Sequence, residues 1–73
     1  MKKEELLKLG FVDTSYTDAE DNHFEELHLK ISKHKSIQFY GNSVVDICVE
    51  NHWVNVPNCK TIEDMKRLIK LFS

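Results

Sequence analysis

The sequence has few of the residues that mark a disordered, linker-rich or membrane-spanning chain. It contains only 2 Gly and 1 Pro, which excludes long flexible linkers and low-complexity segments. So little glycine also excludes a glycine-rich loop that would hold a phosphate group. No stretch approaches the ~20 apolar residues that a membrane helix needs. The hydrophobic fraction of 41% is nevertheless enough for a compact core.

Cysteine is equally scarce, since Cys48 and Cys59 are the only 2 in the chain. Small secreted domains usually support a thin core with several disulfides, and a single bond would be a poor framework. Two reduced, half-buried thiols are the favoured interpretation, while one disulfide stays open. Residues 1–3 are followed by Glu4 and Glu5 rather than by the apolar run of a signal peptide. We therefore predict a cytoplasmic protein.

Charge is nearly balanced overall but is unevenly distributed along the chain. The 73 residues leave room for one domain, 1–73, and their net charge is −2. That balance disfavours non-specific binding to nucleic acid, which depends on neutralising phosphates. Residues 13–26 hold six acids and no Lys or Arg, whereas 27–43 hold three lysines and no acid. An acidic segment therefore precedes a basic hairpin region.

Hydrophobic spacing predicts an α+β fold. Residues 2–9 have the leucine spacing of a short helix that ends at Gly10, and 11–16 begin an extended segment. The polar residues 17–22 indicate a loop. Residues 23–32 predict a strand, because Leu27, Leu29 and Ile31 alternate with polar residues. Phe24 is out of phase with this set, which indicates either a bulge or the preceding loop.

The second half continues as a meander closed by a helix. The pattern predicts three further strands, at 36–40, 43–50 and 53–56, the last of which ends at Pro57. The turns predicted before them lie at 33–35, Gly41-Asn42 and Asn51-His52. An apolar stripe over 62–72, with Thr61 as N-cap, predicts an amphipathic helix. The expected architecture is a short N-terminal helix, an antiparallel sheet of about three to five strands, and this helix packed on one sheet face.

The other face of the predicted sheet carries aromatic residues among charged ones. The residues expected there are Tyr40, Val44, Cys48 and Trp53, with Glu26, His28, Asp46 and Glu50 beside them. Tyr and Trp within a charged rim are typical of the centre of a protein interface. Two alternatives stay open: the N-terminal helix covers this face, or a homodimer forms through it.

Catalytic and metal-binding chemistry find little support in the spacing of the residues. Four His and two Cys include no Cys-x-x-Cys or His-x-x-x-His pair, so we predict no metal and no cofactor. An incidental zinc site at His28 and Cys48 stays open. The same two residues could be drawn as a catalytic dyad, but a domain this small has little room for a substrate cavity of about 300–1,000 Å³. We therefore predict a protein that is not an enzyme and has no catalytic residue.

A basic cluster supports an alternative function. Lys30, Lys33 and Lys35 lie close in sequence to Tyr40, and this combination could hold nucleic acid directly. The competing interpretation is that the lysines keep an exposed sheet edge soluble.

The chain also resembles a known class of small proteins. The segments EELLKLGF (4–11), WVNV (53–56) and TIEDMKRLIKLF (61–72) resemble the layout of short orphan proteins of phages and mobile elements. The resemblance implies a non-catalytic protein that inhibits a host defence nuclease or ribonucleoprotein, as anti-CRISPR proteins do. The residues predicted to bind the protein partner are Asp18, Glu20, Asp21, Glu26, His28, Tyr40, Val44 and Trp53.

Overall fold

The computed structural model describes residues 1–41 and 44–73 and confirms the predicted α+β class. Within these residues the elements in chain order are α1 (Lys3–Lys8), β1 (Val12–Asp13), β2 (Tyr16–Thr17), β3 (His23–Phe24), β4 (Glu26–Ser32), β5 (Lys35–Tyr40), β6 (Val44–Val49), β7 (His52–Asn55) and α2 (Ile62–Phe72). None of the helices in the described part is long and apolar enough to cross a membrane.

The strands form one main sheet and a small separate hairpin. The main sheet is antiparallel and has the order β1-β4-β5-β6-β7, whereas β2 pairs with β3. In the main sheet, Leu27 lies opposite Phe39, and Phe39 lies opposite Val45. Because residues directly opposite each other point to the same side, these three side chains define an inner face. The predicted meander is therefore confirmed.

Both helices lie on that inner face. Leu6 of α1 and Met65 of α2 are fully buried in the same apolar cluster as Leu27, Ile37 and Phe39. This arrangement follows from the sequence, because each helix has an apolar stripe that must be removed from water. The N-terminal helix is thus unable to cover the outer face.

A capping box fixes the start of α2. The Thr61 hydroxyl accepts a hydrogen bond from the Asp64 amide at 3.1 Å, and the Asp64 carboxylate accepts from the amides of Lys60 and Thr61 at 3.1 and 3.2 Å. These bonds, first the one from the Lys60 amide, lower the pKa of Asp64. The predicted N-cap is confirmed, and the bonds from the Thr61 and Asp64 amides satisfy backbone groups that the start of the helix leaves unpaired.

Several predicted boundaries differ from the structure. The predicted strand 23–32 is divided, because Phe24 pairs with Tyr16 in the β2–β3 hairpin rather than with the main sheet. The last tight turn has Glu50 and Asn51 at its centre, with φ of 49° and 71°, so β7 begins at His52. Positive φ at both central residues is the geometry of the two-residue turns whose twist matches a hairpin. Asn42 and Ser43 of the predicted turn and strand lie outside the described residues.

Gly10 allows the chain to leave α1 and enter the sheet, and its replacement tests this connection. Its φ of +103° is a backbone angle that residues with a Cβ rarely adopt. We expect Gly10→Ala to lower the free energy of unfolding by about 1–2 kcal/mol through backbone strain. Urea denaturation measures the change. Lys8→Ala, an exposed helical position, is the control, and an equal loss in both variants would contradict the role of φ at Gly10.

Candidate functional site

The outer face of the main sheet is built from three rows of side chains that run across the strands. The rows given by the register are Glu26–Tyr40–Val44, His28–Gln38–Asp46–Asn55 and Lys30–Ser36–Cys48–Trp53. The structure thus brings five residues of the predicted partner-binding set onto one face: Glu26, His28, Tyr40, Val44 and Trp53. In the described part of the chain, both helices pack on the opposite face. No described helix therefore covers this outer face, although its neighbouring side chains leave the central Gln38 buried.

A groove of about 620 Å³ opens where the β2–β3 hairpin meets this face, and we call it the aromatic groove. Its lining residues are His23, Phe24, Glu25, Glu26, Tyr40, Gly41 and Val44. Tyr16 stacks on Phe24 with ring centroids 5.1 Å apart, a contact that restrains the Phe24 ring. Phe24 nevertheless remains 43% exposed and Val44 37% exposed. The groove therefore presents apolar side chains that water still reaches.

A chain of hydrogen bonds fixes the polar side of the aromatic groove. His28 Nδ1 lies 2.9 Å from Gln38 Oε1, and Gln38 Nε2 donates to Glu26 Oε2 at 3.2 Å. Because an amide oxygen only accepts, the imidazole donates from Nδ1. Gln38 is buried, so its amide geometry is restricted by packing. The Glu26 carboxylate is consequently held in a defined position beside Tyr40.

The electrostatic character of the aromatic groove is acidic. Glu25 and Glu26 line it, and no Lys or Arg is present among its described lining residues. Burial, followed by the nearby carboxylates of Asp46 and Glu26, raises the pKa of Tyr40. The phenol therefore stays protonated and can donate a hydrogen bond. An apolar surface combined with carboxylates suits a ligand that carries both an apolar side chain and a positive charge.

The predicted acidic segment is divided between two structural roles. Asp13 forms an ion pair with Lys3 of α1, and that bond lowers the pKa of the carboxyl well below its usual range. Asp18 caps the hairpin turn, accepting from the amides of Glu20 and Asn22 at 2.9 Å each. Asp18, Glu20 and Asp21 thus lie together at the tip of the β2–β3 hairpin, and none of them lines the aromatic groove.

The alternative nucleic-acid set is only partly assembled. Lys30, Lys33 and His34 line a second groove of about 320 Å³ at the opposite end of the outer face. Lys35 borders it too, but its ammonium donates to the Phe72 carbonyl oxygen at 3.2 Å and lies 5.6 Å from the Phe72 ring centroid. Tyr40 is at the far end of β5, about 17 Å away at ~3.3 Å per residue. The structure therefore separates Tyr40 from the lysines.

Neither metal-binding chemistry nor a thiol pair is visible in the described ranges. Residues 1–41 and 44–73 hold no group of three or more His, Cys, Asp or Glu placed to bind one metal ion. His28 and Cys48 lie in neighbouring rows of the outer face, and both line the second groove of about 320 Å³. The domain therefore has more room for a cavity than its length predicts. Both cysteines are free, Cys48 half-buried and Cys59 in the core, where burial raises the pKa of the thiol.

The sequence predictions missed four residues that line the aromatic groove, His23, Phe24, Glu25 and Gly41, and also Tyr16, which stacks on Phe24. The predicted partner-binding residues His28 and Trp53 lie on the outer face but do not line the groove. A signal was present, since Phe24 was out of phase with the strand that follows it. Tyr16 and Phe24 also flank a short polar loop, which is where a cross-strand aromatic pair of a hairpin would lie. Together these observations would have placed Phe24 with Tyr16 and outside the main sheet.

Comparisons with known proteins give no match for this chain. No family model, no curated protein and no solved structure matches it. The implied kinship with phage and mobile-element proteins stays a prediction, and the function has to be inferred from the chemistry of the outer face.

Proposed function

We propose that this protein is a non-enzymatic binding module that holds a segment of another protein in the aromatic groove. The observation that carries this proposal is the combination, on an open sheet face, of the exposed Phe24 and Val44 side chains with the carboxylates of Glu25 and Glu26. Apolar surface that is left in water at a fixed site favours association. The carboxylates at its border then select which partner can bind.

The groove defines the chemistry of the partner segment. An apolar side chain fits against Phe24 and Val44, and an adjacent Lys or Arg is attracted by Glu25 and Glu26. The Glu26 carboxylate is already oriented by Gln38, so binding requires little further ordering of that side chain. A segment of alternating basic and apolar residues therefore satisfies both halves of the site.

The finer part of the proposal concerns the identity of the partner. A host defence nuclease or ribonucleoprotein is the partner class implied by the resemblance to mobile-element proteins, with this protein as its inhibitor. Such complexes have basic channels that hold nucleic acid. Glu20 and Asp21 are exposed at the hairpin tip, beyond the aromatic groove, where they can enter a basic channel. Charge complementarity supports this role.

Neutralising the hairpin tip tests the electrostatic part of the proposal. We expect Glu20→Gln/Asp21→Asn to slow association with the partner about three- to tenfold at low salt, because exposed charges mainly govern the rate of encounter. Asp18 is left intact because it caps the turn. The control Glu4→Gln/Glu63→Gln removes the same charge from the exposed faces of the two helices. Equal rates for both double variants would remove the hairpin tip from the proposal.

Capture from a host lysate, with and without nuclease treatment, identifies the partner. We expect one stoichiometric protein that survives the nuclease and is released by excess untagged protein. Recovery of RNA or DNA, or of proteins lost on nuclease treatment, would instead support direct nucleic-acid binding through Lys30 and Lys33. Steep salt dependence of purified binding to RNA or DNA would then confirm that alternative.

A further inference from the structure

The strand β7 forms one edge of the main sheet and has an unusual composition for an edge. Among the described residues β6 is its only neighbour, and all four of its side chains, His52, Trp53, Val54 and Asn55, are exposed. Natural edge strands usually carry charged residues or proline that prevent pairing with another chain. This strand contains no Lys, Arg, Asp or Glu, so nothing in its side chains prevents such pairing.

The hydrogen-bonding pattern between β6 and β7 determines which backbone groups of β7 point toward solvent. The Val56 amide donates to the Val45 carbonyl oxygen at 2.8 Å, so Val56 is bonded toward β6. Bonded and non-bonded pairs alternate along an antiparallel ladder, which makes Val54 opposite Ile47 the next bonded pair. The amide and carbonyl groups of Trp53 and Asn55 therefore point away from the sheet, toward solvent.

We propose that β7 pairs with β7 of a second copy to form a two-fold symmetric dimer with a continuous sheet. The two β7 strands run antiparallel, and the two-fold axis that relates them passes through Val54. Trp53 of each copy then lies opposite Asn55 of the other, and each of these pairs forms two backbone hydrogen bonds. Val54 then faces Val54 of the second copy across the axis. The strand is self-complementary because Trp53 and Asn55, whose backbone groups point outward, lie one residue before and one residue after the axis.

Apolar side chains at the same edge favour pairing with a second copy of the chain. Trp53 is 54% exposed and Val54 is 55% exposed, on opposite faces of the sheet. On the helix side, the edge continues into a shallow groove of about 210 Å³ lined partly by Val56, Leu68 and Leu71, the last of which is 85% exposed. Pairing of two copies removes part of this apolar surface from water on both faces of the sheet.

The oligomeric state of the purified protein tests the proposal. We expect sedimentation equilibrium to show a monomer–dimer equilibrium, and Val54→Lys to weaken it about tenfold or more, because two ammonium groups then meet across the axis. The matched control is Val12→Lys, at a 62% exposed valine of the opposite edge strand, which should leave the equilibrium unchanged. A wild-type chain that stays monomeric at the highest soluble concentration would overturn the proposal, as would equal weakening by both variants.

A cross-linking measurement keeps the test independent of any folding defect in Val54→Lys. In an antiparallel ladder, two residues that face each other without exchanging backbone hydrogen bonds approach closely. Val54→Cys should therefore form a disulfide between residues 54 of two copies under mild oxidation. Val12→Cys should not, and peptide mass mapping separates the product from links through Cys48. Absence of the 54–54 link also overturns the dimer. The proposed partner binding is unaffected by that outcome, because the aromatic groove does not involve β7.

Discussion

Replacing Phe24 by serine is expected to weaken binding of the captured protein partner by about 30-fold or more, the effect of losing a central aromatic contact in an interface. Phe24 supplies exposed apolar surface to the aromatic groove and is held there by the Tyr16 ring. Titration calorimetry or surface plasmon resonance with the purified partner measures the loss. The change should appear mainly in the dissociation rate, since the substitution removes a contact and leaves the charges intact.

The chain offers a matched control for this substitution. Leu7 of α1 has the same exposed fraction as Phe24, 43%, but lies on the helix side of the sheet. Leu7→Ser therefore removes a similar exposed apolar area from a surface outside the proposed site. Full binding by Leu7→Ser together with weak binding by Phe24→Ser supports the aromatic groove. Unchanged affinity in both variants would show that the partner binds elsewhere.

Truncating Met65 to alanine should lower the free energy of unfolding by about 2–5 kcal/mol. Met65 is fully buried, and its side chain joins α2 to the core that also contains Leu6 and Ile37. Removing it costs both the lost transfer energy and the cavity that remains. Small domains have a thin stability margin, so a loss of this size is a large part of the total. Chemical denaturation followed by circular dichroism measures it.

An exposed position on the same helix separates this packing effect from helix propensity. Lys70→Ala is expected to change the free energy of unfolding by no more than about 0.5 kcal/mol, because the side chain is in solvent. A loss in Met65→Ala that is no greater than in Lys70→Ala would mean that α2 is not packed on the sheet through Met65. The two variants therefore test the layer arrangement directly.

Sequence periodicity was most informative where one face of an element is buried. The bounds predicted for α2 agree with the observed Ile62–Phe72, because an apolar stripe and a Thr61 cap both act within the element. Strand phases in β4, β5 and β6 were predicted for the same reason, since a slip of one residue would expose the whole apolar set. Tyr40, Val44 and Trp53 were accordingly placed on the correct face.

Local pattern failed where two short segments depend on each other. The β2–β3 hairpin rests on the contact of Tyr16 with Phe24, and each strand has only two residues, too few for a period to be read. The last turn was displaced by one residue because Glu50, unlike Asn51 or a glycine, is a residue type that rarely adopts a left-handed backbone. The aromatic groove contains Phe24 and was therefore predicted only in part.

The sequence by itself determined the α+β class, the inner face of the sheet and the amphipathic character of α2, because these follow from the spacing of apolar residues within single elements. Only the tertiary structure decided that both helices share one face, which leaves the other face open. It also decided that Lys35 turns to α2 and that the acids at the hairpin tip lie apart from the groove. These outcomes depend on contacts between residues distant in the chain, which no local spacing encodes.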